Sequence, residues 1–262
     1  MKRRIFILLT ILLALAALLM TACVPDTPPL PDADAEPPLQ SVVPAARLDA
    51  PLAITDTAYH DTLVLSDTLR LLISANYPLT GVAPIDAYYD DELLCFIRSA
   101  ETLAEEYRYD DGNLSGVYFI TEEYEIVCND GMFFSVLRTV SDYFGTNREN
   151  YSNNCDTFFA ANGQRIGLDD LFTVSRDVYM LRLLEYFDGY IDGYGADRFF
   201  ADAKQRIRDN FPNPPYGAFC VTDEPDAYLI FYFSPAVIAP HVEGTVEIPV
   251  PRDELEDILH NF

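Results

Sequence analysis

The stretch from Ala227 to Val250 constrains the fold most. Its first part, Ala227-Tyr228-Leu229-Ile230-Phe231-Tyr232-Phe233, is apolar or aromatic without a break. A half-buried strand alternates in polarity, so an unbroken run predicts a strand covered on both faces. After Ser234-Pro235-Ala236-Val237-Ile238-Ala239-Pro240 the pattern changes, and Thr245–Val250 alternates strictly. Val246, Ile248 and Val250 share one face, and Thr245, Glu247 and Pro249 share the other. Pro249 has no amide proton for a ladder, which places this second strand at a sheet edge.

The earlier chain supplies the cover. Two short β-like runs lie around Thr62–Leu65 and Leu69–Ala75, and Asn76-Tyr77-Pro78-Leu79-Thr80-Gly81 has turn chemistry. Tyr89, Leu93, Phe96, Ile97, Ala100, Ala104 and Tyr107 recur at helical spacing and predict a helix from near Pro84 to Tyr107. Asp86, Asp90, Asp91 and Glu92 sit at its positive end, where carboxylates are favoured. A meander follows: Val117–Cys128, a tight turn at Asn129-Asp130-Gly131, Met132–Tyr143 and Tyr151–Ala160. Met180, Leu183, Leu184, Phe187 and Ile191 mark a second helix, with Gly189, Gly193 and Gly195 expected to end it. Phe199, Ala203, Ile207 and Phe211 mark a third. Ala218–Thr222 and Ala227–Phe233 form a hairpin, and Arg252–Leu259 closes the chain as a short acidic helix with Leu255, Ile258 and Leu259 inward. Strands and helices in blocks, without strict alternation, predict an α+β fold of antiparallel sheets covered by helices.

The N-terminus gives an address. Lys2-Arg3-Arg4 precedes an apolar run from Ile5 to Met20, and small residues Thr21-Ala22 precede Cys23. This is the pattern of a secretory leader spanning residues 1–22. Leu19-Met20-Thr21-Ala22-Cys23 resembles a bacterial lipobox, which implies lipid on Cys23 and a membrane anchor without a spanning helix. An ordinary cleaved leader or an uncleaved signal anchor are the alternatives. Residues 23–51 are rich in Pro, Ala and Asp and predict an extended tether. The leader is short at its basic end, so no cytosolic segment for a sigma factor is expected.

The chain carries 17 basic against 42 acidic residues. Phosphate recognition needs Lys and Arg, so nucleic acid is excluded as an expected partner. An acidic surface favours cationic partners.

Several segments also carry a resemblance. They are the Tyr77-Pro78-Leu79-Thr80-Gly81 turn before a helix, the Asn162-Gly163-Gln164-Arg165-Ile166-Gly167-Leu168-Asp169-Asp170-Leu171-Phe172 entry and the aromatic-strand, crossing and Val-x-Ile-Pro-Val order of the C-terminal part. Together they resemble a bacterial cell-envelope family that includes the extracellular region of the RsiV anti-sigma factor and the N-terminal, non-catalytic region of PdaC-type peptidoglycan deacetylases. The resemblance implies two intimately packed sub-domains, residues 52–150 and 151–262. It also implies a ligand-binding or sensing role outside the membrane, with lysozyme or another cationic wall hydrolase as ligand class. The alternative is a peptidoglycan-binding module, or an unrecognised wall hydrolase or deacetylase accessory. The family's Gly/His-rich loop has no counterpart in Phe144-Gly145-Thr146-Asn147-Arg148-Glu149-Asn150, which contains no His.

Residue patterns for chemistry are sparse. His60, His241 and His260 are far apart, with no His-x-x-x-His or Cys-x-x-Cys spacing, so neither metal nor cofactor is expected. Asp90-Asp91, Asp110-Asp111 and Asp169-Asp170 read as caps and solvated turns, and Asp188–Gly193 lacks the alternating ligands of a calcium loop. No nucleophile elbow is present, and the resemblance stops short of the deacetylase domain, so the expectation is a protein that is not an enzyme. After Cys23, four cysteines remain: Cys95, Cys128, Cys155 and Cys220. Export permits disulfides, but spacing assigns no pairing.

Overall fold

The structure is a computed structural model that describes residues 46–108, 116–145, 149–194, 198–210 and 218–262. Cys23, the leader and most of the tether lie outside the described residues, as do Asp110, Asp111 and Phe211.

The fold is α+β, and the described residues form eight strands in two sheets. The first sheet has the order β1-β2-β3-β4-β5, from β1 (Thr55–Val64), β2 (Leu69–Leu79), β3 (Gly116–Asn129), β4 (Phe133–Tyr143) and β5 (Asn150–Phe159). The helix α1 (Ala83–Arg108) connects β2 to β3. That crossover returns the chain to its starting end, so β2 and β3 pair in parallel, while every other pair is antiparallel. The hydrogen-bonded sheet runs past residue 150 and takes in β5.

One face of this sheet alternates apolar residues inward onto α1. Leu69, Leu71, Ile73, Ala75 and Tyr77 of β2 and Tyr118 and Ile120 of β3 meet Ile85, Tyr89, Phe96, Ala100 and Ala104 of α1. The spacing of those helix positions is what a single apolar stripe requires.

Two helices, α2 (Arg176–Tyr194) and α3 (Ala203–Asn210), lead into the second sheet, β6-β7-β8, from β6 (Phe219–Val221), β7 (Leu229–Phe233) and β8 (Val246–Val250). The aromatic run is its central strand and the Pro249 strand is an edge, as the pattern predicts. Leu229, Phe231 and Phe233 are buried against α2, while Ile230 and Tyr232 are only half-buried. The second core also takes in Cys128, Met132, Phe133 and Phe159 from one end of the first sheet. Among the described residues no helix is long and apolar enough to cross a membrane.

Five local differences from the sequence reading have physical reasons. The strand β2 continues through Pro78 to Leu79; β3 leaves β2 after Ala75, so Pro78 lies where its missing donor costs no ladder bond on that side. The strand β1 starts at Thr55, because ten consecutive pairs with β2 extend a segment that has little apolar alternation of its own. Gly189 and Gly193 lie inside α2, where Tyr186 and Tyr190 fasten the helix to the carbonyls of Pro249 and Glu247. The C-terminal segment forms a 3-10 turn at Arg252–Glu254 in place of a longer helix, although Leu255, Ile258 and Leu259 are buried as expected. The last part of the predicted tether is docked: Arg47 pairs with Asp130 at 2.8 Å, and the Leu48 amide donates to the Gly131 carbonyl at 2.9 Å. Gly131 has φ +85°, and a Cβ there would stand 2.7 Å from the Leu48 carbonyl oxygen, so the docked chain needs glycine at this turn.

Candidate functional site

Charged residues occupy inward positions on three strands of the first sheet. Glu122 follows Tyr118 and Ile120 on β3, Arg138 follows Phe134 and Val136 on β4, and Asp156 precedes Phe158 on β5. All three side chains are buried beneath α1, and Arg138 is 4% exposed. Its guanidinium is fully engaged. Nη1 donates to Glu122 Oε1 at 2.7 Å, Nε to Asp156 Oδ2 at 2.7 Å, and Nη2 reaches Glu92 Oε2 of α1 at 2.9 Å. Tyr88 of α1 donates to Asp156 Oδ1 at 2.6 Å, and Arg165 reaches the same oxygen at 2.7 Å while lying 4.7 Å above the Tyr88 ring. The Tyr77 hydroxyl donates to the other oxygen of Glu122.

Burial sets the protonation tendencies here. It pushes the Glu122 carboxyl up, against the pull of Arg138 and the Tyr77 hydroxyl. It pushes the Tyr77 and Tyr88 hydroxyls up as well, reinforced by Glu122 and Asp156 respectively. For Arg138 burial works against the charge, but Asp156, Glu122 and the other neighbours outweigh it, and the guanidinium is held charged. Each of the three carboxylates faces a guanidinium, so the cluster ties α1 to three strands and leaves no interior carboxylate aimed at an open cleft. A buried cation with several matched acceptors is costly to break once formed.

The opposite face of the sheet is different. The second sheet and its helices pack against β4, β5 and the Cys128 end of β3, and Asn153 of β5 reaches Thr245 Oγ1 at 2.7 Å. Toward β1 and the start of β3 the outward face carries exposed side chains. A row of register partners, Thr62, Leu72, Phe119 and Tyr143, runs across four strands, with Val64, Arg70 and Val117 beside it. Val64 is 57% exposed, Val117 53% and Leu72 42%. Phe119 and Tyr143 stack with centroids 5.8 Å apart. At the far end of the same strands, Asp56, Asn76, Glu123, Tyr124 and Ile126 line an open groove of about 460 Å³. Exposed apolar side chains clustered beside aromatic rings mark a contact surface.

The residues singled out from sequence do not converge. His60 is on β1, His241 begins the 241–243 turn, and His260 lies 5.8 Å from Phe262. Among the described residues no cluster of three or more His, Cys, Asp and Glu is placed to hold a metal. Asp169 and Asp170 act locally: Tyr179 donates to Asp169 at 2.6 Å, and the Gly167 amide donates to Asp170 at 2.8 Å. Asp188 and Asp192 lie within α2, not in a loop. Cys95, Cys128, Cys155 and Cys220 are not joined in disulfides. Sequence reasoning missed Glu122, Arg138 and Asp156; for Glu122 and Arg138 a signal was present, since each stands at an inward position of an otherwise apolar alternation, whereas Asp156 shares its face with Ser152 and Asn154 and carried none.

No family model and no curated protein matches the chain. Solved structures do. A DUF3298 family protein from Pseudomonas aeruginosa PAO1 is 13% identical with a TM-score of 0.57, covering 81% of this chain and 96% of that one. A second member of that family, from Bacteroides fragilis, is 16% identical with a TM-score of 0.54 and the same coverage. At these identities the likeness is one of fold: this chain is built like bacterial proteins of the DUF3298 family.

Proposed function

We propose that this is a lipid-anchored protein of the bacterial cell envelope. Cys23 carries the lipid, and the α+β domain is a non-catalytic binding or sensing module held outside the membrane. Its ligand class is a cationic wall-acting protein such as lysozyme. The observation that carries the reading is the outward face of β1–β3, where Leu72 and Val117 are exposed among the described residues, half-buried Phe119 stacks on Tyr143 of β4, and a groove lined by Asp56 and Glu123 lies at the far end of the same strands. The fold shared with DUF3298 family proteins and the sequence resemblance to RsiV and PdaC-type proteins support the same reading. A formal charge of −25 favours encounter with a cationic partner and makes the encounter salt-sensitive. A pull-down with lysozyme at low and moderate salt tests it. Retention that weakens with salt is expected, and no retention at either salt removes the ligand class.

The groove favours a second reading. Asn76, Asp56 and Tyr124 combine amide, carboxylate and aromatic groups in a shallow cleft, which suits a wall glycan. Co-sedimentation with purified peptidoglycan, together with an assay for released products, separates this reading from protein binding.

A further inference from the structure

The four described cysteines are not equivalent. Cys155 lies on β5 and Cys220 on β6, strands of different sheets that pack against each other. Their contact is fixed close by, one residue beyond Cys220 and two beyond Cys155, where the Val221 amide approaches Thr157 Oγ1 at 3.5 Å. Thr157 shares a face of β5 with Cys155. On β6, Phe219 and Val221 enter the core beneath α2, so Cys220 between them projects to the other side of the strand. The two thiols share a hydrogen bond there, and both are buried, at 1% and 0% exposure. Cys128 is also near Cys220 but donates its thiol to the Phe133 carbonyl at 3.9 Å, and Cys95 is on α1, on the far side of the first core.

We infer that Cys155 and Cys220 are a disulfide-forming pair that staples the two sheets together when the chain folds under oxidising conditions. The bond would close a loop from residue 155 to residue 220 and so join the two halves of the molecule covalently. Restricting the unfolded chain by such a long loop is the main source of disulfide stabilisation. The oxidant is a small or protein disulfide. One thiolate of the pair attacks it, forming a mixed disulfide and releasing one oxidant thiol. The second thiolate then displaces the remaining oxidant sulfur. The pair gives up two protons and two electrons, and the oxidant disulfide is reduced to two thiols. Burial pushes the Cys220 thiol well up, so thiolate is scarce once the protein has folded. Closure therefore belongs to folding and is slow in the native state.

In the cell this step rests on the extracytoplasmic reading above, but the pair itself is tested in a refolding mixture. The full chain is unfolded with reductant and refolded with glutathione disulfide or with dithiothreitol. Remaining thiols are then alkylated, and the product is mapped by proteolysis and mass spectrometry. The expected result is a linked peptide joining Cys155 to Cys220, with a mass loss of two hydrogens. The oxidised protein should also unfold at a higher denaturant midpoint than the reduced one. Cys155→Ser and Cys220→Ser should each abolish the linked peptide and the difference in midpoint. Alkylation of both residues after oxidative refolding, or bridging of either one to another cysteine, overturns the pair. A bridge that forms in the tube but is absent from thiol-blocked protein harvested from its native cells counts instead against the extracytoplasmic address.

Discussion

The two halves of the molecule hold together by different physics. Beneath α1, the first core is apolar at its edges but is centred on Arg138, with Glu92, Glu122 and Asp156 around it. Beneath α2, the second core is almost wholly hydrocarbon and aromatic, with Phe187 packed edge-on to Phe231 at 5.0 Å and Phe172 stacked on Tyr179 at 4.3 Å. Apolar packing is non-directional and tolerates exchange among side chains of similar volume. A buried charge cluster has few satisfactory arrangements, so it fixes the register of helix and strands closely. The half with the fixed register is also the half that leaves one sheet face open. A surface that must present a row of side chains in set positions gains from a rigid support on its other side.

That contrast can be broken by substitution. Arg138→Met removes the only guanidinium touching both Glu122 and Asp156 among the described contacts, and should cost about 3–5 kcal/mol in urea unfolding at neutral pH. Phe231→Ala in the second core should cost a similar amount, about 3–5 kcal/mol, through the cavity it leaves. Acid separates the two. Without Arg138 the stranded carboxylates take up protons more readily in the folded state, so the Arg138→Met penalty should shrink as pH falls, while that of Phe231→Ala should not change in this way. Equal pH dependence of the two penalties would mean that the cores do not differ in kind.

Glu122→Gln gives a smaller and sharper test. Burial raises the folded-state pKa of Glu122 above its usual value, so the folded protein holds this proton more tightly than the unfolded chain. Its contribution to stability is therefore best at low pH and is lost as pH rises through the raised value. Gln keeps an acceptor for Arg138 and Tyr77 but cannot ionise. The variant should match the wild type most closely at low pH, where both side chains are neutral, and gain on it as pH rises; a flat difference across that range would contradict the assigned burial effect.

The smallest effect on folding should come from the open face. Leu72→Lys and Val117→Lys alter exposed side chains with no cover to lose, and each should change unfolding free energy by no more than about 0.5 kcal/mol. A larger loss in urea unfolding would mean that this face is packed against something and is not free to bind.

Much of the architecture was legible because apolar periodicity follows burial. The α1 stripe, the β3–β5 meander and the contrast between β7 and β8 all show it. The strand β1 was obscured because Thr55-Asp56-Thr57-Ala58 owes its conformation to pairing with β2 and not to its own pattern. The parallel β2–β3 pair was hidden because register across a crossover helix leaves no local trace. The Arg138 cluster was missed for a different reason. In so acidic a chain single carboxylates carry little information, and only the inward position of Glu122, Arg138 and Asp156 on adjacent strands sets them apart. The open face is harder still, since Leu72 and Val117 look like ordinary core residues until it is known which half of the sheet the second module covers.

The most direct test of the account is a calorimetric titration of lysozyme into the wild-type protein and into the Leu72→Lys/Val117→Lys double variant at low salt. Binding to the wild type that weakens with added salt, together with its loss in a double variant of unchanged stability, is the predicted result. Equal binding by the two proteins, or none by the wild type, would contradict the claim that the uncovered face of the first sheet is where a cationic partner docks.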